Sequence, residues 1–143
     1  MIVPDVNLLV YAYNDLAPQQ KKARRWLEEI LSGQQTVGLP WLVCIAFIRL
    51  TTNRRVVPTA AHASAAIQHI RKWLACPQVV VLQPGPRHLD ILDSFAGQNL
   101  ITGDIATDAH LAALAIENQA ELHSNDADFS RFPGLRWRNP LRP

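Results

Sequence analysis

Five aspartates fall in three separate stretches of the chain, each beside the end of a predicted strand or the start of a predicted helix. Asp5 directly follows the apolar run "MIVP", and Asp126 and Asp128 follow the run "ELHS". Asp104 and Asp108 lie in "TGDIATDAHLAALA", where a helix is predicted to begin. Each acid alone has an ordinary explanation, because aspartate commonly caps helices, complements the helix dipole and begins turns.

The five carboxylates acquire a joint meaning if the fold brings them to one place. Carboxylates held close together repel each other unless a cation lies between them. Because the acids come without supporting His or Cys, the pattern favours a hard cation, Mg²⁺ or Mn²⁺, over zinc. Phosphodiester hydrolysis is the chemistry that combines several carboxylates with a divalent ion, which activates water and stabilises the charge developing on the phosphate.

The elements around the acids alternate between strands and helices. Short apolar runs predict strands at "MIVP", "TVGLP" and "VVVLQP", and further strands are predicted at "ELHS" and, at the edge of the sheet, at "LRWR". Apolar spacing predicts helices in "QQKKARRWLEEILSG", in "WLVCIAFIRLTTN" with Pro40 as its first residue, and in "PTAAHASAAIQHIRKWLACP", "PRHLDILDSFAGQN" and "TDAHLAALAIENQ". This alternation predicts an α/β domain with a mostly parallel sheet covered on both faces. In such folds ligands bind outside the carboxyl ends of the strands, where Asp5, Asp126 and Asp128 are expected.

Length and composition indicate the class of protein. The chain has 143 residues, 48% hydrophobic and 18% charged, a globular balance that predicts one domain over residues 1–143. No basic segment precedes the first apolar residues and no apolar run could span a membrane, so we expect a cytoplasmic protein with no membrane partner.

The charge is unevenly distributed. The formal net charge is only +2, yet the C-terminal end is basic without any acid after residue 130; its arginines are Arg131, Arg136, Arg138 and Arg142. This basic tail suits a polyanion, and a solvated surface is the alternative.

Three motifs together resemble those of PIN-domain proteins and, within that family, of the VapC toxins of bacterial toxin–antitoxin pairs. They are "PDVNLLVYA", "TDAHLAALA" and "HSNDADFSRFPGL", and the resemblance covers nearly the whole chain. It implies a PIN-like three-layer sandwich in which helices flank a five-stranded, mostly parallel sheet. It also implies a Mg²⁺- or Mn²⁺-dependent endoribonuclease that cleaves structured cellular RNA, forms a homodimer and is inhibited by a cognate VapB-type antitoxin.

The resemblance also assigns roles to individual residues. Asp5, Asp108 and Asp126 match the catalytic, metal-binding aspartates of the family. Supporting roles are assigned to Asn7, Asp104, Ser124 and Asp128. One position departs from the pattern, because Ala46 in "CIAFIRL" stands where the family often has a glutamate before Phe-x-Arg. The four tail arginines are expected to contact RNA phosphates rather than bases, since nothing in their spacing offers a base-specific fork.

Two other classes of function compete with the nuclease. Phosphoryl transfer through an aspartyl-phosphate also uses an aspartate at a strand end, but "DVN" lacks the second aspartate that such phosphatases use as acid and base. A catalytically weak or inactive PIN-like binding module is the other alternative, and Ala46 is the residue that favours it. The histidines share no spacing that supports a histidine-based nuclease. Among the tryptophans, Trp137 between two arginines is the one expected to contact RNA.

Overall fold

Five parallel strands form the sheet at the centre of the molecule. The computed structural model describes residues 1–143. The strands are β1 (Ile2–Pro4), β2 (Val37–Pro40), β3 (Val79–Leu82), β4 (Glu121–His123) and β5 (Arg136–Arg138). Their order in the sheet is β3-β2-β1-β4-β5, and every neighbouring pair is parallel. The predicted α/β fold with a five-stranded parallel sheet is therefore confirmed.

Six α-helices connect the strands and cover both faces of the sheet. They are α1 (Val6–Tyr13), α2 (Gln20–Ser32), α3 (Trp41–Thr51), α4 (Ala63–Leu74), α5 (His88–Gly97) and α6 (Ile105–Glu117). Helices α1 to α4 accompany the chain from β1 to β3 and pack successively on one another, whereas α5 and α6 pack together on the way back to β4. The chain moves from β1 to β3 in one direction across the sheet and then returns to β4 on the other side of β1. Because crossovers between parallel strands are right-handed, the two groups of helices lie on opposite faces.

Helix α1 is an element that the apolar spacing did not predict. Its sequence, "VNLLVYAY", lacks a polar face, and four of its residues are buried: Leu8, Leu9, Val10 and Ala12. Asp5 begins the helix, since its Oδ1 accepts a hydrogen bond from the backbone N–H of Val6 at 2.7 Å. A single residue therefore separates the first strand from the first helix and caps that helix.

The start of α3 also differs from the expectation. Pro40 was expected as its first helical residue, but it has extended backbone angles, φ −74° and ψ 147°, and belongs to β2. The missing N–H of proline is tolerated at the end of a strand as well as at the start of a helix, so the residue type does not decide between the two. No helix of the chain combines the length and apolar character needed to cross a membrane.

The order in which strands are added reverses between β1 and β4: β2 and β3 lie on one side of β1, and β4 and β5 lie on the other. Pro4 of β1 lies opposite His123 of β4, and the backbone N–H of Asp5 donates to the carbonyl of His123 at 2.8 Å. Asp5 and Ser124 therefore leave the sheet side by side at its carboxyl edge. A reversal of strand order opens a crevice at this edge in α/β sheets, so the crevice lies where the acids were expected.

Candidate active site

Ser124 lies at the centre of the hydrogen bonds at this edge. Its side chain is fully buried, and its Oγ donates to Oδ2 of Asp5 at 2.6 Å. The same oxygen accepts from Nδ2 of Asn7 at 3.1 Å and from the backbone N–H of Asp126 at 3.0 Å. One hydroxyl thus joins residues from β1, α1 and the loop after β4, which are far apart in the sequence.

Asp5 is held with both carboxylate oxygens occupied. Oδ1 accepts from Val6 and Oδ2 accepts from Ser124. The pKa of Asp5 is raised to about 6. Burial is the main cause, and the charges of Asp108 and Asp126 add to it, while the two hydrogen bonds act in the opposite direction. The side chain is therefore well oriented but carries its negative charge in an unfavourable environment.

Asp108 faces the same region from the first turn of α6. Burial raises its pKa, as does the charge of Asp126 and, more weakly, that of Asp128, while Arg131 lowers it. Asp5 and Asp108 line one cavity of about 350 Å³ between α3 and α6. Asp5, directly after β1, and Asp108 of α6 therefore share a cleft. The charge of Asp126, in the loop after β4, raises the pKa of both.

Asp126 and Asp128 also shape their own loop. Oδ1 of Asp126 accepts from the backbone N–H of Asp128 at 2.8 Å and caps the short 3-10 helix Ala127–Arg131. Asp128 is exposed and forms an ion pair with Arg131 at 3.1 Å. Asp126 therefore forms the turn with one carboxylate oxygen, and its other carboxylate oxygen makes no hydrogen bond within the chain.

Asp104 is separate from this network. It occupies the residue before α6, but it is exposed and makes no side-chain hydrogen bond that would cap the helix. Asn7 and Ser124, in contrast, lie directly against Asp5 or its neighbours, and Asn7 Oδ1 also accepts from the backbone N–H of Asn125 at 3.4 Å. Of the supporting residues expected from the sequence, Asp104 is the one that makes no hydrogen bond to the acids or to the loop after β4.

The donor atoms of the cleft suit a hard cation. Asp5, Asp108 and Asp126 offer carboxylate oxygens, and the raised pKa values of Asp5 and Asp108 mean that a positive charge placed there would relieve repulsion. No three acidic, imidazole or thiol groups converge closely enough to form a ready-made metal cage. The residues therefore fit a divalent ion by the chemistry of their donor atoms.

Helix α3 contributes the other wall of the cleft. Ala46 lines the cavity with Asp5 and Asp108, so the position that lacks the family glutamate does face the acids. Arg49, one turn further along, lines it too. Arg49 is the single charge of an otherwise apolar helix, and this isolation is the sequence signal that could have identified it.

The four tail arginines do not form a single patch. Arg131 is paired with Asp128, and the guanidinium of Arg136 donates to the carbonyl of Gln119. Arg138 and Arg142 line a different cavity, beside α2. Trp137, which was expected to contact RNA, is half-buried and donates from Nε1 to the carbonyl of Ser124 at 3.1 Å.

A buried hydrogen-bonded chain that the sequence did not indicate supports β4 from below. Trp26 of α2 donates from Nε1 to Nδ1 of His123 at 3.0 Å, and Nε2 of His123 lies 2.8 Å from a carboxylate oxygen of Glu121. Since Nδ1 accepts the hydrogen bond from Trp26, the proton of the neutral ring is on Nε2, and this N–H donates a hydrogen bond to Glu121. Burial lowers the pKa of His123, which favours the neutral ring that this arrangement uses.

Comparison with known proteins agrees with this geometry. The PIN domain family model matches residues 2–135. Ribonuclease VapC33 of Mycobacterium tuberculosis is 40% identical over 142 residues, which cover 99% of each chain. Among solved structures, VapBC2 from Rickettsia felis bound to a promoter DNA fragment is similar with a TM-score of 0.67 at 20% identity, covering 97% of this chain and 98% of that chain. Mycobacterium tuberculosis VapC20, described as a sarcin-ricin loop cleaving toxin, is similar with a TM-score of 0.65 at 18% identity, covering 95% of this chain and 99% of that chain.

Proposed function

This chain belongs to the PIN-domain family and, within it, to the VapC ribonucleases, and on that premise we propose that it is a metal-dependent endoribonuclease. The observation that carries the proposal is the meeting of Asp5, Asp108 and Asp126 at the reversal point of the sheet. Burial, together with the charges of neighbouring acids, raises the pKa of Asp5 and of Asp108, so these acids from distant segments are costly to the fold, and a bound cation would explain them.

The proposed cofactor is Mg²⁺ or Mn²⁺, held by Asp5, Asp108 and Asp126. When bound, such an ion activates water for attack on phosphorus and neutralises the charge that develops on the phosphate. Ser124 and the backbone of Val6 orient the Asp5 carboxylate, so this group reaches the ion without losing further side-chain freedom. Arg49 supplies a positive charge on the opposite wall, suited to a phosphate oxygen of the substrate.

The proposed biological role is that of a toxin in a type II toxin–antitoxin pair. Its substrate would be a structured cellular RNA; the similar VapC20 is described as a sarcin-ricin loop cleaving toxin. Its inhibitor would be a cognate VapB-type antitoxin, because several similar structures are VapBC complexes. Mixing the purified chain with its antitoxin should then abolish RNA cleavage.

We also propose a homodimer. Trp41 and Ile45 lie on α3 beside the acid cleft and are 50% and 59% exposed, which is unusual for large apolar side chains. Ile45→Glu is expected to convert the dimer to a monomer in light scattering, whereas Ile67→Glu on α4 serves as the matched control. Equal masses for the parent and the Ile45 variant would contradict the proposed role of this face.

The activity is tested with a panel of structured RNAs incubated with the purified protein and Mg²⁺, Mn²⁺ or EDTA. Cleavage is expected with either metal and not with EDTA. Asp5→Asn, Asp108→Asn and Asp126→Asn should each abolish it, because the amide is nearly isosteric but cannot neutralise a divalent cation. Asp15→Asn is the matched control, since Asp15 is exposed in a turn away from the cleft.

A non-catalytic binding module is the second candidate function. It is favoured by Ala46, which leaves the cleft one carboxylate short, and by the lack of a preassembled metal cage. A protein that neither cleaves RNA nor gains thermal stability from Mg²⁺ or Mn²⁺ under any condition of the panel would establish this candidate over the nuclease.

A further inference from the structure

A second, larger cavity lies away from the acid cleft, between α2 and the C-terminal segment. It is an open groove of about 740 Å³. Its charged lining consists of five cations and one acid: Lys21, Lys22, Arg25, Arg138, Arg142 and Glu29. The groove therefore carries a strong excess of positive charge, although the net charge of the whole chain is only +2.

The cations of this groove are free to bind an external anion. None of the five forms an ion pair within the chain, where the Lys and Arg ion pairs are those of Arg24 with Glu28 and Arg131 with Asp128. Lys22 donates only to the carbonyl of Leu141, at 3.5 Å. Their positive charges are consequently not neutralised by the protein itself.

Two of these cations lie at the end of α2 where positive charge is unfavourable. Lys21 and Lys22 lie in the first turn of α2, which contains no acidic residue. Positive side chains at a helix N-terminus are unfavourable, because the helix dipole is positive at that end. Local stability therefore does not explain these lysines, whereas an anion bound in the groove would.

The groove is connected to the acid cleft through backbone and side-chain contacts. The carbonyl of Arg138 accepts from the backbone N–H of Ser124 at 3.1 Å, and Ser124 in turn holds Asp5. Nδ2 of Asn139 donates to Oδ1 of Asn125 at 2.9 Å, which fixes the C-terminal segment to the same loop. The C-terminal segment, which forms one wall of the groove, is thus hydrogen-bonded to the loop that holds Asp5.

The lining favours a nucleic acid over a protein partner. Three of the large apolar side chains of the groove, Ile2, Trp26 and Leu141, are at most 7% exposed. A protein partner needs large apolar or aromatic anchors in a pocket, and these three side chains offer it little surface. Unpaired lysines and arginines along an open groove are the surface that follows a phosphate backbone.

We propose that this groove is an RNA-binding exosite, which holds the phosphate backbone of a strand whose adjoining segment lies at Asp5, Asp108 and Asp126. The inference rests on the proposed ribonuclease function and extends it to a second surface. The exosite makes no base-specific contact. Its role is to raise the affinity for those RNA molecules that are long enough to occupy both the groove and the acid cleft.

The first test uses three substitutions on α2, Lys21→Gln, Lys22→Gln and Arg25→Gln, in one variant. The matched control carries Arg54→Gln, Arg55→Gln and Arg71→Gln, which remove the same charge from exposed sites without ion pairs outside the groove. Binding of a labelled single-stranded RNA is followed by fluorescence anisotropy in EDTA over a series of KCl concentrations. The slope of log affinity against log salt should flatten by about 2 units for the groove variant and much less for the control.

The second test separates the exosite from the catalytic function. The groove variant should cleave a long RNA with reduced kcat/KM and a short oligonucleotide, confined to the acid cleft, with the kcat/KM of the parent. Salt slopes and long-RNA cleavage unchanged from the parent, or changed equally in the control variant, would overturn the exosite while leaving the ribonuclease intact. A parent that neither binds nor cleaves any RNA would overturn both proposals.

Discussion

The hydroxyl of Ser124 lies 2.6 Å from the carboxylate of Asp5, although 119 residues separate the two in the chain. Ser124 is fully buried, and the oxygen that donates to Asp5 also accepts from Asn7 and from the backbone of Asp126. The serine is therefore the point at which the loop after β4 determines where the acid after β1 lies.

Ser124→Ala is expected to destabilise the protein and to alter Asp5. The substitution leaves the backbone N–H of Asp126 and the amide of Asn7 without their acceptor, and we expect the free energy of unfolding in urea to fall by about 2 kcal/mol. It also removes a hydrogen bond that lowers the pKa of Asp5, so that pKa should rise above its present value of about 6. Ser130→Ala, at an exposed position, is the control and should leave both quantities unchanged.

Asp5→Asn is expected to abolish cleavage and to stabilise the metal-free fold near neutral pH. The pKa of Asp5 is about 6 in the folded chain against 3.8 for an ordinary aspartate, so the folded state binds more protons between these values. Asp5 therefore stabilises the folded parent at pH values below its pKa in the unfolded chain. This contribution is lost as the pH rises through its pKa in the folded chain. The variant should gain on the order of 2–3 kcal/mol in EDTA at neutral pH.

The pH dependence checks this sign directly. Urea denaturation of parent and variant across the acidic range should show the gain vanishing as the pH falls below the ordinary aspartate pKa. Asp15→Asn should show no such pH-dependent difference, because Asp15 lies exposed in a turn. A variant that is less stable than the parent at neutral pH would mean that the carboxylate of Asp5 is stabilised by the fold.

Ala46→Glu is expected to tighten metal binding. Ala46 lines the cavity that contains Asp5 and Asp108, so a glutamate there adds a fourth carboxylate to the cleft, and a higher ligand charge strengthens binding of a hard cation. Calorimetric titration with Mg²⁺ or Mn²⁺ should show a lower Kd than for the parent. Ile67→Glu, on α4 away from this cavity, is the charge-matched control.

Arg49 provides the competing outcome for that substitution. It lines the same cavity one turn from Ala46, and a glutamate at 46 could pair with it instead of with the metal. A doubly substituted chain, Ala46→Glu with Arg49→Gln, distinguishes the two. Unchanged metal affinity in both variants would show that the side chain at position 46 points away from the cation.

Trp26→Phe is expected to weaken the support below β4. The change removes the N–H that donates to Nδ1 of buried His123 at 3.0 Å, and an unsatisfied buried acceptor costs about 1–2 kcal/mol. Denaturation in urea should report this loss near neutral pH. A variant as stable as the parent would show that this hydrogen bond does not support β4.

The position of the acids was predictable because it depends on patterns that act locally. The segments before Asp5 and before Asp126 have the length of short strands, and parallel strands place their carboxyl ends at one edge. What could not be read from the runs is α1, whose uniformly apolar sequence has neither the period of an amphipathic helix nor a polar face. Its helical form depends on the cap from Asp5 and on burial by its neighbours.

The basic groove was beyond the reach of the sequence for a different reason. Lys21, Lys22 and Arg25 have the spacing of an ordinary solvated helix face, and Arg138 and Arg142 that of a basic tail. They become one surface only because α2 and the C-terminal segment pack beside each other on the same side of the sheet. Such a meeting of distant segments leaves no periodicity in either of them.

The central place of β1 in the sheet determines when during synthesis the site can form. One of its two neighbours in the sheet, β4, consists of residues 121–123 and is synthesised after β2, β3 and all six helices. Until those residues emerge, Asp5 has neither the backbone partner at His123 nor the hydroxyl of Ser124. A polypeptide interrupted before β4 would therefore leave the ribosome without an assembled site, so that the activity proposed here requires translation through β4.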